Sequence, residues 1–320
     1  MLPNLNCYGD YRGLGHRPED FDAFWKEGLE EVERSGTEFE LEKEELPSKV
    51  ADFYHLWFTG VGGDKVHCQL VVPKGVEKGE KRRGILLFHG YHCDSGDFSD
   101  KVGWAAEGYV VLAMDARGQG GLSEYKRQAT GDVLHGLLIR GIEEKDPEKL
   151  YFRDVFLDTA KAAKILQGMD FVDEGKIFAQ GASQGGGLAL ACCGLVPDIY
   201  KVQVCYPFLS DYRAAYAEGC DDSAFDELGY WFRYRDPLHK NEDEFFRLLD
   251  YVDVKYLAEN IKAEVVMAVG LKDTVVFPKT QMAAFNRIKS RKRLLVLPEY
   301  GHEYLPKISD ELREFFEFGK

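Results

Sequence analysis

The stretch Lys176-Ile177-Phe178-Ala179-Gln180-Gly181-Ala182-Ser183-Gln184-Gly185-Gly186-Gly187-Leu188-Ala189-Leu190-Ala191 decides the fold. It runs from a short apolar segment, through a Gly-x-Ser-x-Gly turn, into small helix-forming residues. Strand, sharp turn and helix in that order hold a serine hydroxyl above the carboxyl end of a sheet. The serine then lies at a helix N-terminus, where N–H groups and the helix dipole favour negative charge. Glycines must flank it, because a side chain there would collide with the neighbouring helix and strand. The plain alternative is a glycine-rich packing turn with an idle serine, and the strand–helix context speaks against it.

Working outward, further short apolar runs alternate with helical segments. They are Ile85–Phe88, Tyr109–Ala113, Ile177–Ala179, Val202–Val204, Val265–Val269 and Leu294–Leu297. Apolarity that is continuous along a run means burial on both faces, the condition of a parallel sheet. Helices are expected between them, over Val155–Leu166 and Lys279–Ile288 among others. Strand–helix alternation with right-handed crossovers gives a doubly wound α/β sheet, whose ligands gather beyond the carboxyl ends of the strands.

The beginning of the chain differs. Phe21, Phe24, Trp25, Leu29 and Val32 recur at helical spacing behind Pro18. Strand-like stretches at Val50–Thr59 and Val66–Val72, with Gly60, Gly62, Gly63 and Asp64 between them, read as an antiparallel hairpin. The reading is one α/β domain over residues 1–320, with an N-terminal extension over about 1–48. Two long connections stand out, about 116–150 and about 207–258, and the second is expected to be a cap insertion over the site.

A serine hydroxyl needs a base, and the base needs an orienting acid. In this fold the order is serine, acid, histidine. Only His239 and His302 follow Ser183. His302 lies just past the last apolar run, where such a sheet places its base, whereas His239 lies in the cap segment. Asp273 is the only carboxylate in the loop after Val265–Val269 and before Pro278, so it is the expected acid, with helix or turn capping as its plain alternative. Glu303, adjacent to the histidine, reads as a structural partner of its loop. An oxyanion is expected to be held by the backbone N–H groups of Gln184 and Tyr91, the latter following Phe88-His89-Gly90. His89, which precedes the nucleophile, reads as a loop-fixing residue. Arg117, Gly118 and Gln119 follow the second parallel run and are expected to organise loops, with Arg117 pairing a carboxylate near the site.

Composition narrows the function further. The 320 residues carry 41 Lys and Arg against 55 Asp and Glu, a net charge of −14. So acidic a surface repels a phosphate backbone, so nucleic acid and anionic membrane are set aside as partners. The short basic runs Lys81-Arg82-Arg83 and Lys289–Arg293 read as solvated strand flanks. Seven cysteines without Cys-x-x-Cys spacing read as buried free thiols rather than disulfides or a metal site. Met1–Cys7 has no secretory pattern and no apolar window is long enough to span a membrane, so a cytoplasmic location is expected. Neither a metal nor an organic cofactor is expected, since no metal-ligand spacing, phosphate loop or dinucleotide fingerprint is present.

Together, His89-Gly90-Tyr91, Arg117-Gly118-Gln119, Gly181-Ala182-Ser183-Gln184-Gly185-Gly186-Gly187 and Gly301-His302-Glu303 resemble the acetyl xylan esterase and cephalosporin-C deacetylase family of carbohydrate esterases. Leu138–Ile142, Tyr151–Phe156, Asp236-Pro237 and Gly270–Asp273 fit the same pattern, so the resemblance covers nearly the whole chain. It implies an α/β-hydrolase fold and a serine esterase that deacetylates short acetylated sugars and small acetyl esters such as cephalosporin C. It also implies a homohexamer whose sites open to an internal chamber closed to polymeric xylan. Two other readings stay open on the residues alone: a broad short-chain carboxylesterase or peptidase of the same fold, and a catalytically silent hydrolase-fold binding protein.

Overall fold

The structure is a computed structural model that describes residues 8–77, 79–128 and 136–319. The expectation drawn from Met1–Cys7 therefore lies outside the described residues, as does residue span 129–135 of the first long connection.

Nine described strands form one sheet in the order β1-β2-β3-β5-β4-β6-β7-β8-β9. The strands β1 (Phe39–Glu44), β2 (Ala51–Thr59) and β3 (Lys65–Pro73) pair antiparallel, and β3 meets β5 (Tyr109–Met114) antiparallel as well. From there the sheet is parallel, through β4 (Arg82–Phe88), β6 (Val172–Ala182), β7 (Lys201–Cys205), β8 (Glu264–Gly270) and β9 (Lys292–Leu297). This is the α/β-hydrolase arrangement, a mostly parallel sheet with an antiparallel start. All six residues of β5 are buried, with Val110, Leu112 and Met114 in one core and Tyr109 and Val111 in the other. That two-sided burial is why the strand reads as one uninterrupted apolar run.

One face is covered by α1 (Phe21–Arg34), α3 (Tyr151–Gln167), α4 (Gln184–Leu195) and α9 (Pro278–Arg287). The other lies under α2 (Val102–Ala106) and the C-terminal segment, which contains the short α10 (Ile308–Glu311) and contributes Leu312, Phe315 and Phe316. In α1, Phe21, Phe24, Trp25, Gly28 and Val32 form the buried stripe. Every residue of α4 is buried, so this helix shows no polar face. Among the described residues, no helix is long and apolar enough to cross a membrane.

The segment expected as a cap contains α5 (Tyr212–Ala217), α6 (Asp226–Tyr234) and α7 (Glu242–Leu249), then α8 (Val254–Leu257) before β8. Two expectations need correction. The N-terminal 48 residues are not only an extension, because β1 is the edge strand of the main sheet. Five of its six residues are exposed and the sixth is half-buried, so its alternation marks no core face. The six cysteines among the described residues are free but not uniformly buried: Cys93 is exposed and Cys205 half-buried. Elsewhere the elements run longer than their apolar signal, as in β6, which starts at Val172, and α3, which starts at Tyr151.

Candidate active site

The turn between β6 and α4 is built by close backbone approach. Ser183 has φ 58° and ψ −124°, a left-handed conformation unusual for a residue with a side chain. Three backbone bonds hold it: Ser183 N–H donates to Cys205 O at 3.0 Å, and Ser183 O accepts from Gly187 N at 3.1 Å and Phe208 N at 2.9 Å. A Cβ on Gly185 would stand 2.0 Å from Phe88 O, and one on Gly181 would stand 2.2 Å from the Gly185 carbonyl. Both positions therefore exclude any larger residue, as the sequence pattern requires.

Residues 183, 273 and 302 all lie in loops beyond strand carboxyl ends, and the fold brings them together. Ser183 Oγ is 2.9 Å from His302 Nε2, and His302 Nδ1 is 2.9 Å from Asp273 Oδ2. Since an ionised carboxylate only accepts, the imidazole proton belongs on Nδ1, which leaves Nε2 free to accept from the serine hydroxyl. Asp273 is 3% exposed and serves two purposes with its two oxygens. Its Oδ1 accepts from the N–H groups of Val275 and Val276 at 2.9 and 2.8 Å, the turn-forming role that was its plain alternative. Its Oδ2 takes the histidine.

His239, the other histidine after the serine, lies between α6 and α7, where it meets Glu242 at 2.7 Å and stacks on Phe232. His89 is a loop fastener. Its Nε2 accepts from Ala116 N–H at 2.9 Å and its Nδ1 donates to Gly90 O at 2.7 Å. Burial depresses its pKa, so it stays neutral in that role. Glu303 accepts from Gly301 N–H at 3.1 Å and so supports the loop that carries His302.

The side chain of Gln184 is fully buried and forms a two-way amide pair with Gln119. Gln119 Nε2 donates to Gln184 Oε1 at 2.8 Å, and Gln184 Nε2 donates to Gln119 Oε1 at 3.1 Å. Gln119 Oε1 also accepts from His92 N–H at 2.8 Å, and Gln119 Nε2 reaches Tyr151 Oη at 2.9 Å. The loop after β4 is thereby tied to the turn that carries Ser183. Gly118, with φ 59°, lets the chain turn between Arg117 and Gln119. Arg117 itself is 1% exposed and forks onto Asp158 at 2.5 and 2.7 Å, with Asp64 at 3.2 Å. Burial works against its charge, but Asp158, Asp154 and Asp64 outweigh burial and hold the guanidinium protonated. The carboxylates that Arg117 pairs thus belong to α3 and the β2–β3 turn.

Two neighbours of the site were not legible in sequence. Gln281, in α9, donates from Nε2 to Asp273 Oδ2 at 3.3 Å and to Val276 O at 2.6 Å. Nothing in its spacing distinguishes it from a helix-surface glutamine. Tyr206 packs its ring 4.4 Å from the His302 ring. The available signal was its position directly after β7, at a strand carboxyl end.

The sequence model of the acetyl xylan esterase family matches residues 2–318. This chain belongs to that family. The acetyl xylan esterases are carboxylic ester hydrolases. Acetyl xylan esterase 1 of a Thermoanaerobacterium species is 41% identical to this chain, covers 99% of it with 98% of its own length, and superposes with a TM-score of 0.95. An acetyl xylan esterase of a Paenibacillus species is 30% identical over 98% of this chain and 99% of its own, with a TM-score of 0.94. An acetyl esterase of Xylanibacter ruminicola is 26% identical over 293 residues, which are 89% of this chain. The match spans 63% of that relative's length.

Proposed function

We propose that the chain is a serine esterase that removes acetyl groups from short acetylated sugars and small acetyl esters, cephalosporin C among them. The observation that carries this reading is the unbroken contact from Ser183 Oγ through His302 to the buried Asp273 carboxylate, two links of 2.9 Å each. It is supported by membership of the acetyl xylan esterase family over residues 2–318.

In the proposed reaction, Ser183 Oγ attacks the acetyl carbonyl carbon while His302 Nε2 takes the hydroxyl proton. Asp273 keeps the ring in the tautomer that can accept it and stabilises the imidazolium that forms. The carbonyl π electrons move to oxygen, giving an oxyanion. Gln184 is the first residue of α4, so its N–H has no intrahelical acceptor and can donate to that oxygen. The Tyr91 N–H is the second donor, and losing one such donor costs about 3–4 kcal/mol of barrier in known enzymes. The C–O bond to the alcohol breaks, and the leaving oxygen takes the proton from His302. Water then attacks the acetyl-serine, again giving its proton to His302, and acetate leaves as Ser183 is reprotonated.

The hexamer implied by the family resemblance, with sites facing an inner chamber, accounts for a preference for short acetylated sugars over the polymer. The test is acetate release from acetylated xylo-oligosaccharides, cephalosporin C, polymeric acetyl xylan, butyryl and octanoyl esters and a peptide amide, with light scattering of the same sample. Rapid turnover confined to the small acetyl esters supports the proposal. Equal turnover of octanoyl esters gives the broad carboxylesterase, peptide cleavage gives the peptidase, and silence on all substrates gives the binding protein.

A further inference from the structure

The cap helix α6 carries a carboxylate in an unusual place. Glu227 is 2% exposed, and among the described residues no Lys or Arg forms an ion pair with it. A buried carboxylate without a cation is costly, and an apolar residue of similar size is often the more stable choice. Glu227 meets that cost with hydrogen bonds alone. Tyr91 Oη–H donates to Oε1 at 2.6 Å, while Leu138 N–H and Ile139 N–H donate to Oε2 at 2.7 and 3.3 Å. The compensation is incomplete, since burial still pushes the carboxyl up to about 7.

The partner that matters is Tyr91. Its backbone follows His89-Gly90 at the end of β4, and its hydroxyl also accepts from Leu137 N–H at 2.5 Å. Its ring stacks on His92 at 3.9 Å and lies 5.9 Å from Phe208, whose N–H donates to Ser183 O. The approach of segment 136–139 to this node is tight. Gly136 has φ 111°, and a Cβ there would stand 2.2 Å from Glu227 Oε1. The carboxylate is therefore held in register from two sides while it holds the tyrosine.

We infer that Glu227 is a positioning residue for the oxyanion-binding loop: from the cap it grips the Tyr91 hydroxyl and so fixes the Tyr91 backbone N–H opposite Ser183. This rests on the esterase reading above, in which that N–H is an oxyanion donor. A donor displaced by a fraction of an ångström binds substrate as before but loses its grip on the developing oxyanion, so kcat falls while KM holds.

The experiment is steady-state hydrolysis of p-nitrophenyl acetate by Glu227→Ala, Glu227→Gln, Tyr91→Phe and the Glu227→Ala/Tyr91→Phe pair, with Ser183→Ala beside them. The expected result for Glu227→Ala is a kcat lower by about 10- to 100-fold with KM within about twofold. Glu227→Gln restores only part of the rate, because its amide oxygen still accepts the tyrosine hydroxyl while its NH2 is set against the Leu138 and Ile139 N–H groups. The double variant is no slower than the slower single, since both act through one contact. Parental kcat in Glu227→Ala, or losses that multiply in the double variant, overturns the inference. Where Glu227→Ala fails to fold, Tyr91→Phe decides by itself, and a parental kcat there overturns the inference equally. Full activity surviving in Ser183→Ala would instead remove the assignment of Ser183 as nucleophile, on which the proposed reaction rests, and the two failures are distinct.

Discussion

Gln119 and Gln184 lie 65 positions apart and bind each other by a reciprocal pair of carboxamide bonds of 2.8 and 3.1 Å. Each amide supplies one donor and one acceptor to the other, which neither a carboxylate nor an alkyl side chain can reproduce. In this chain the pair binds the Arg117-Gly118-Gln119 loop to the Gly181–Gly185 turn. One glutamine fastens the loop that carries His92, and the other begins the helix behind the serine. Replacing Gln119 by Glu sets two acceptors against each other in a buried place. The expected outcome is a kcat for p-nitrophenyl acetate lower by about 10- to 100-fold, from displaced donors, with Gln119→Asn intermediate. Unchanged kinetics in Gln119→Glu would show that the pair does not shape the site.

Asp273→Asn separates the two duties of that side chain. An asparagine oxygen can still accept from the Val275 and Val276 N–H groups, so the turn and the fold are retained. Its NH2 then faces His302 Nδ1 and forces the proton to Nε2, the wrong tautomer for accepting from Ser183. On that account kcat falls by about 10⁴-fold, as for the corresponding change in a serine protease, while the melting temperature stays near that of the parent. Calorimetry and single-turnover kinetics on the same preparation check both halves.

How much of this was open to a reader of the sequence follows from where the information lies. Ser183 was legible because its conformational demand is local, written in the adjacent glycines 181 and 185. His302 and Asp273 were legible because strand order fixes which loops converge. Gln281 and Glu227 were not, because they reach the site from helices whose own periodicity accounts for them as ordinary positions. Likewise, β1 escaped notice because Phe39 and Leu41 are 39% and 49% exposed on an edge strand and mark no core. Tertiary placement, which no window of sequence carries, supplies the remainder.

Arg117 holds together three acidic groups that cannot be left alone. Its fork onto Asp158, with both partners 1% exposed, makes this a buried ion pair whose removal leaves an uncompensated charge. Arg117→Ala is expected to lower folding stability by about 3–5 kcal/mol, seen as a shifted urea midpoint with an unchanged slope. An Arg117→Ala/Asp158→Ala double variant is expected to recover part of the loss. No recovery would mean that the pair is not the unit of stability.

A second buried cluster sets a pH dependence. Lys255, 1% exposed in side chain, meets Asp253 at 2.5 Å, Asp250 at 3.6 Å and Asp211 at 3.7 Å. Burial pushes the Asp250 carboxyl up to about 6, although Lys255 pulls it down. A raised carboxyl favours the fold below its ordinary pKa of 3.8, and that contribution is lost as pH rises through about 6. Asp250→Asn removes the titration. Relative to the parent, the variant is therefore expected to gain stability between about pH 4 and pH 7, by up to ~3 kcal/mol. Thermal unfolding at both pH values measures it, and a difference that shrinks or does not change with rising pH contradicts the assignment.

The central claim is that Ser183 carries the acetyl group. Rapid acid quench after mixing with p-nitrophenyl acetate, followed by peptide mass spectrometry, tests it directly. One acetyl adduct is expected on the peptide containing Ser183, and neither adduct nor turnover in Ser183→Ala. An adduct on another residue, or full turnover by Ser183→Ala, would contradict it.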